Sequence, residues 1–202
     1  MNERGSQAWR PARVAVLGAL LALPGCVTPR TTEPLATLSA ERQFAHVAAL
    51  NMGPTGIEVR AEGIAGVLLL RADDDAFAAR LALLASALQR GAPLALSMRG
   101  GVLRSVTPGA ASPAPRALAP PPEPGSASTL EEGVISLDAT SEGAHVVLSR
   151  SARGDYRVSI DRADFVDTFV ALGLAQRDRC FRHFQEANGA ELLLVPMGAA
   201  QP

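Results

Sequence analysis

The chain has no lysine: all 19 of its Lys and Arg positions are arginine. This excludes a phosphate-loop lysine, a Schiff base and a Ser-x-x-Lys nucleophile pair. Aromatic side chains are scarce at 4%, and the single Trp, Trp9, lies near the N-terminus. With one Tyr and no other Trp, the chain has little with which to stack sugars or bases. Its core has to come from Ala, Leu and Val with six Phe. Charge is sparse too, with 19% charged residues and a formal net charge of -1. Residues 1–25 hold Arg4, Arg10 and Arg13 against Glu3, so the remainder is more acidic still. An acidic body argues against nucleic-acid binding, which draws its affinity from basic residues on phosphates. Neither a Gly-x-Ser-x-Gly elbow nor a His-Glu-x-x-His zinc helix occurs.

What is present begins with the first 26 residues. An Arg-bearing leader precedes "VAVLGALLAL", residues 14–23. That run is about half of the roughly 20 apolar residues needed to span a bilayer, but it suits the apolar core of a secretory signal. A buried N-terminal helix is the competing reading. The following "LPGC", Leu23, Pro24, Gly25 and Cys26, resembles the lipobox of bacterial lipoprotein precursors. Pro24 stands where that family usually has a small residue. The resemblance implies removal of residues 1–25 as a signal peptide, a thioether-linked diacylglycerol on Cys26 and acylation, for instance by palmitate, of its amine. Val27, in place of the Asp associated with inner-membrane retention, implies the outer membrane, with the body facing the periplasm. Several acyl chains hold durably where one holds marginally. The second cysteine, Cys180, then lacks an intramolecular partner; a Cys26–Cys180 disulfide in a soluble exported chain is the alternative.

Composition divides the rest into a lipidated Cys with a Thr- and Pro-rich tether (26–38), a first module (39–106), a Pro-rich linker (107–129) and a second module (130–197). The first module reads as a helix over 39–51, with Phe44, Val47 and Leu50 on one face and Ser39 as cap. A strand, turn and strand follow over 56–70. Phe77, Leu81, Leu84 and Leu88 then predict a helix over 73–91, and a hairpin about Gly100-Gly101 closes the module at 94–106. In the second module, strands at 133–139, 144–151 and 155–161 lead to a helix over 163–188. Its apolar stripe includes Phe165, Phe169, Leu172, Cys180 and Phe184, and a final strand spans 190–197. The expected fold class is α+β: two small modules of antiparallel sheet with packed helices, joined by the linker. "VLLLRAD" then helix then "GAPLALSM" is echoed by "VSIDRAD" then helix then "GAELLLVPM", which duplication and chance both explain.

The helix–strand–strand–helix–strand order expected of the first module, with "IEVRAEGIAGVLLL" before an Ala-rich helix, is similar to the BON domain. That resemblance implies phospholipid binding, although Arg71-Ala72-Asp73 stand where the family's Gly usually follows the second strand.

Candidate chemistry is thin. On the expected second helix, Cys180, His183 and Glu186 share a face, the arrangement of a thiol or metal-dependent hydrolase; a small core cysteine between Phe181 and Phe184 explains the same spacing. Asp73, Asp74 and Asp75 suit a helix entry better than a calcium loop. Arg153-Gly154-Asp155 suits a turn. His46 and His145 stand apart from other ligands. The reading is therefore a non-catalytic interaction or scaffold component of the cell envelope, acting through exposed sheet edges or helix faces. Its partners are the membrane, through the anchor, and an envelope protein, with no nucleic acid, cofactor or metal.

Overall fold

The computed structural model describes residues 41–110, 116–123, 129–150, 155–187 and 190–195. Leu38–Pro202 form one compact unit. Among the described residues the architecture is α+β, an eleven-stranded, mainly antiparallel sheet with two helices. Its elements are β1 (Glu41–Gly53), β2 (Gly56–Ala61), β3 (Leu68–Arg71), α1 (Phe77–Arg90), β4 (Pro93–Arg99) and β5 (Val102–Pro108), then β6 (Leu130–Glu132), β7 (Val134–Thr140), β8 (Gly143–Leu148), β9 (Asp155–Ser159), α2 (Phe165–Asp178), β10 (Arg182–Ala187) and β11 (Glu191–Leu194).

The pairings fall into two rings. In the first, β1 pairs with β2, β2 with β3, β3 in parallel with β5, β5 with β4, and β4 returns to β1. In the second, β7 pairs with β8, β8 with β9, β9 in parallel with β11, β11 with β10, and β10 with β6. Only Gly133 separates β6 from β7, so the two act as halves of one interrupted strand. Each ring thus has the same strand order, with a single helix between its third and fourth strands. Topology of this kind assigns no function by itself.

Three local features repeat position for position. Gly56 and Gly143 open the second strand of each ring at φ 144° and 134°. A Cβ there would lie 2.0 Å from the Leu70 carbonyl oxygen or 2.7 Å from that of Val158, so only glycine fits. Each helix starts on a buried Phe, Phe77 or Phe165. Each also ends on a left-handed residue, Gly91 at φ 60° or Arg179 at φ 51°. The "RAD" triplets, by contrast, do not correspond. Arg71 and Ser159 are the matching residues, because they pair with Gly56 and Gly143. Arg162 therefore sits three residues beyond its apparent counterpart. "GAPLALSM" contributes β4, whereas "GAELLLVPM" contributes β11, the counterpart of β5.

Two expected helices are corrected. Residues 41–53 instead form a strand paired with β2, β4 and β7, in which a bulge between Val47 and Ala49 inserts one residue into the alternating pattern. Ala45, Val47, Leu50 and Met52 all face inward, and Phe44 is 66% exposed. The bulge gives Val47 and Leu50 a spacing of three, which imitates a helix. The leading helix of the BON-like order is accordingly a strand. The second helix stops at Asp178 rather than running to 188 because Arg179 adopts the left-handed cap. The N–H groups of Arg179 and Cys180 then bond the carbonyls of Gln176 and Ala175, which closes the helix. The segment beyond it becomes β10.

One apolar cluster runs through both rings, including Leu50, Ile57, Leu81, Leu96, Leu137, Phe165 and Phe184. The helices meet where Leu81 of α1 lies over Gly173 of α2; a Cβ on Gly173 would come within 2.7 Å of the Leu81 Cδ2. Buried Gln89 donates from α1 to the Ile160 and Arg162 carbonyls at 2.9 and 2.7 Å. Gln176 donates from α2 to those of Met52 and Ile135. Part of the expected linker is held too. Arg116 donates to the Gln89 carbonyl and pairs with Asp161, and Ala119 exchanges backbone hydrogen bonds with Asp161 and Ala163.

Arg162 is buried, and its guanidinium forks onto Asp164 at 2.9 and 2.6 Å while also donating to the Leu192 carbonyl at 2.7 Å. Burial by itself raises the Asp164 carboxyl, but hydrogen bonds from Arg162 and Thr168 and the Arg162 charge together bring it below its ordinary value. A lowered folded value contributes stability above the unfolded pKa that is lost as pH falls through the folded one. Asp164→Asn is therefore expected to cost about 1 kcal/mol at pH 7, solvent screening the part-exposed carboxylate, and progressively less as pH falls below the ordinary aspartate value of about 3.9, measured by urea unfolding at neutral and acidic pH. Equal deficits would refute the pairing. Arg179→Gly, which repeats the Gly91 cap without a Cβ in the left-handed region, should stabilise the fold by about 1 kcal/mol in the same assay.

Candidate binding surface

Strand alternation sends one set of side chains into the core and the other to the outer face. On β2 this leaves Glu58 and Arg60 exposed between buried Ile57, Val59 and Ala61. On β8 it leaves His145 exposed between buried Ala144 and Val146, and on β9 Arg157 between buried Tyr156 and Val158. Register then decides which outward residues become neighbours.

Pairing by pairing, Glu58 lies opposite Asn51, Asn51 opposite Asp138, Asp138 opposite His145, His145 opposite Arg157, and Arg157 opposite Glu191. All six are exposed or half-buried. They form one unbroken row across β2, β1, β7, β8, β9 and β11. At roughly 4.8 Å between strands the row measures about 24 Å along the curved outer surface of the sheet. It begins in one ring and ends in the other.

The two rings join at its Asn51–Asp138 pair. Asn51 lies two residues before Gly53, which pairs with Gly56, and Asp138 lies two before Thr140, which pairs with Gly143. The two are the same position of the two rings, set face to face. From there the antiparallel pairing continues through Leu50 with Ala139 and Ala49 with Thr140. The Asn51 Nδ2 donates to the Asp138 Oδ1, and Ser136 donates to the Asp138 Oδ2 at 3.2 Å. His145 is also held, with its Nε2 2.7 Å from the Asp155 Oδ1. Glu58, Arg157 and Glu191 have no side-chain partner among the described residues.

Two depressions adjoin at Thr140 along the row. One of about 250 Å³ is lined by Glu58, Arg60, Asn51 and Asp138. The other, of about 390 Å³, is lined by Glu142, His145, Arg157, Ser159 and Glu191. Across this face Glu58, Asp138, Glu142, Asp155 and Glu191 stand against Arg60, Arg157 and His145. The face is therefore acidic, and its groups are hydrogen-bond donors and acceptors rather than a stacking platform.

The residues singled out in the sequence lie elsewhere. Leu23, Pro24, Gly25 and Cys26 fall outside the described residues. Cys180 is half-buried just past α2, and His183 and Glu186 lie on β10. Their odd separation directs them to opposite sides of a strand, so the shared helical face of Cys180, His183 and Glu186 does not exist. No cluster of metal-ligating groups occurs among the described residues. Asp74 accepts the Ala76 N–H at 2.9 Å and pairs with Arg80, while Asp73 pairs with Arg71. These acids serve the entry to α1 from outside its first turn. Of the Arg-Gly-Asp triplet only Asp155 is described, as the first residue of β9 and partner of His145. His46 lies on β1, with its Nδ1 3.1 Å from the Gly91 carbonyl oxygen. The row itself has no linear motif, since its members are scattered from 51 to 191 and meet only through pairing. Comparison with protein-family models, curated proteins and solved structures finds no match to this chain.

The junction pair is asymmetric in chemistry although equivalent in position. Asn51→Asp would set two carboxylates directly opposite each other and is expected to cost about 1 kcal/mol at low salt. The deficit should shrink in urea titrations at high salt, which screens like charges at the surface. Asp138→Asn, which keeps a donor against an acceptor, should stay close to the parent at either salt concentration. A salt-independent loss in Asn51→Asp would sink this account of the pair.

Proposed function

We propose that this chain is a non-catalytic interaction component of the bacterial cell envelope, anchored to the outer membrane through lipidated Cys26. The anchor rests on Leu23, Pro24, Gly25 and Cys26 behind the short apolar run of residues 14–23. No helix among the described residues is long and apolar enough to cross a membrane. The role rests on the row from Glu58 to Glu191, a line of fixed polar groups presented by six paired strands. Groups mounted on paired strands are already ordered, so a partner meets them without a large entropic cost. The partner engages this outer face. An added strand at an exposed edge does not suit the central strands, because β1, β7 and β8 each have a neighbour on both sides along the row.

In this reading the two rings are paired modules on one lipid tether, and duplication is the simplest origin of their shared order. Bacteria fed radioactive palmitate should incorporate label into the parent chain and none into Cys26→Ala. A parent chain that takes up no label would remove the anchor, whatever the surface binds.

A further inference from the structure

We infer that the row is a track for an extended, lysine- or arginine-rich segment of a protein partner, lying across the strands and spanning both rings. The inference rests on the interaction role proposed above and is independent of the lipid anchor. Charge is the first argument. Five carboxylates face outward here against two arginines and a histidine, a balance that repels nucleic acid and other polyanions. Length is the second. A contour of about 24 Å corresponds to about seven residues of extended peptide at roughly 3.3 Å each, bending with the outer wall of the second ring.

The distribution of partners within the row is the third. Asp138 is held by Asn51 and Ser136, and Asp155 by His145, which keeps the middle of the track rigid. Glu58 at one end and Glu191 at the other have no side-chain partner among the described residues, so each is available to an incoming cation. Arg157, opposite both His145 and Glu191, is the one strong positive charge in the row and opposes the same ligand. Because the strands under the row are paired on both sides, the segment cannot add as a further strand. It is held by side chains, and its binding is therefore sensitive to salt.

The test uses the full chain purified in detergent and a fluorescein-labelled nine-residue peptide of alternating Lys and Ser, followed by anisotropy at low and physiological salt. The peptide should bind, more weakly as salt rises. Glu58→Gln with Glu191→Gln should weaken it about fivefold. Glu123→Gln with Glu131→Gln, exposed acids away from the row, should leave it within twofold. Arg157→Gln should tighten binding. Unchanged melting temperatures would separate these effects from misfolding. The track is overturned if the peptide does not bind, if both double variants weaken it equally, or if Arg157→Gln weakens it. It is equally overturned if spermidine or a Glu-Ser peptide of the same length binds as well. Loss of peptide binding with palmitate labelling intact refutes the track and leaves the anchor standing.

Discussion

The pairing of β1 with β7, where Asn51 meets Asp138, is the constraint on which the larger arrangement depends. Each ring closes through its own five-stranded order, but only the short antiparallel pairing of β1 with β7 makes the sheet continuous. Equivalent strands meet there at equivalent residues, and an amide set against a carboxylate gives that meeting a donor and an acceptor. Two carboxylates would repel, whereas Asn and Asp are complementary and tie the rings in one register. A slip by one residue would turn the outward row inward, since alternate side chains point to opposite faces. The same register that joins the rings therefore aligns Glu58 with Glu191.

On the opposite side the helices complete the join. Gly173 lets α1 approach until Leu81 occupies the space a side chain would fill. The apolar cluster then runs without a break from one ring to the other. Buried Gln89 reaches from α1 to the Ile160 and Arg162 carbonyls past β9, and half-buried Gln176 reaches from α2 to the Met52 carbonyl of β1, so each helix also hydrogen-bonds to the other ring. Four of the six Phe belong to this interior, leaving Phe44 and Phe181 exposed. A chain so poor in aromatics has none to offer on its polar face, which is consistent with recognition by charge and hydrogen bonds rather than stacking.

Much of the fold was legible where local chemistry and tertiary context agree. Phe77, Leu81, Leu84 and Leu88 mark α1 because a helix spaces its buried face by three and four, and Gly91 ends it. Glycines at 100 and 101 mark the β4–β5 hairpin. The misreadings have specific causes. A bulge at Ala48 gave β1 the spacing of a helix. Arg179 occupies a left-handed cap with no glycine to announce it, so the second helix seemed to continue through Cys180 and His183. The "RAD" echo coincides with a repeated strand order but aligns it three residues out of register.

By itself the sequence determined which segments alternate, where glycine must turn the chain, and that lysine chemistry and aromatic platforms are excluded. Those are local properties, set by the side chains and the backbone beside them. Tertiary structure alone decided that Asn51, Glu58, Asp138, His145, Arg157 and Glu191 are neighbours. Their adjacency is a matter of register between strands far apart in the chain. Register follows from which faces must be buried once every strand has found its partner, and no spacing within a single segment encodes it.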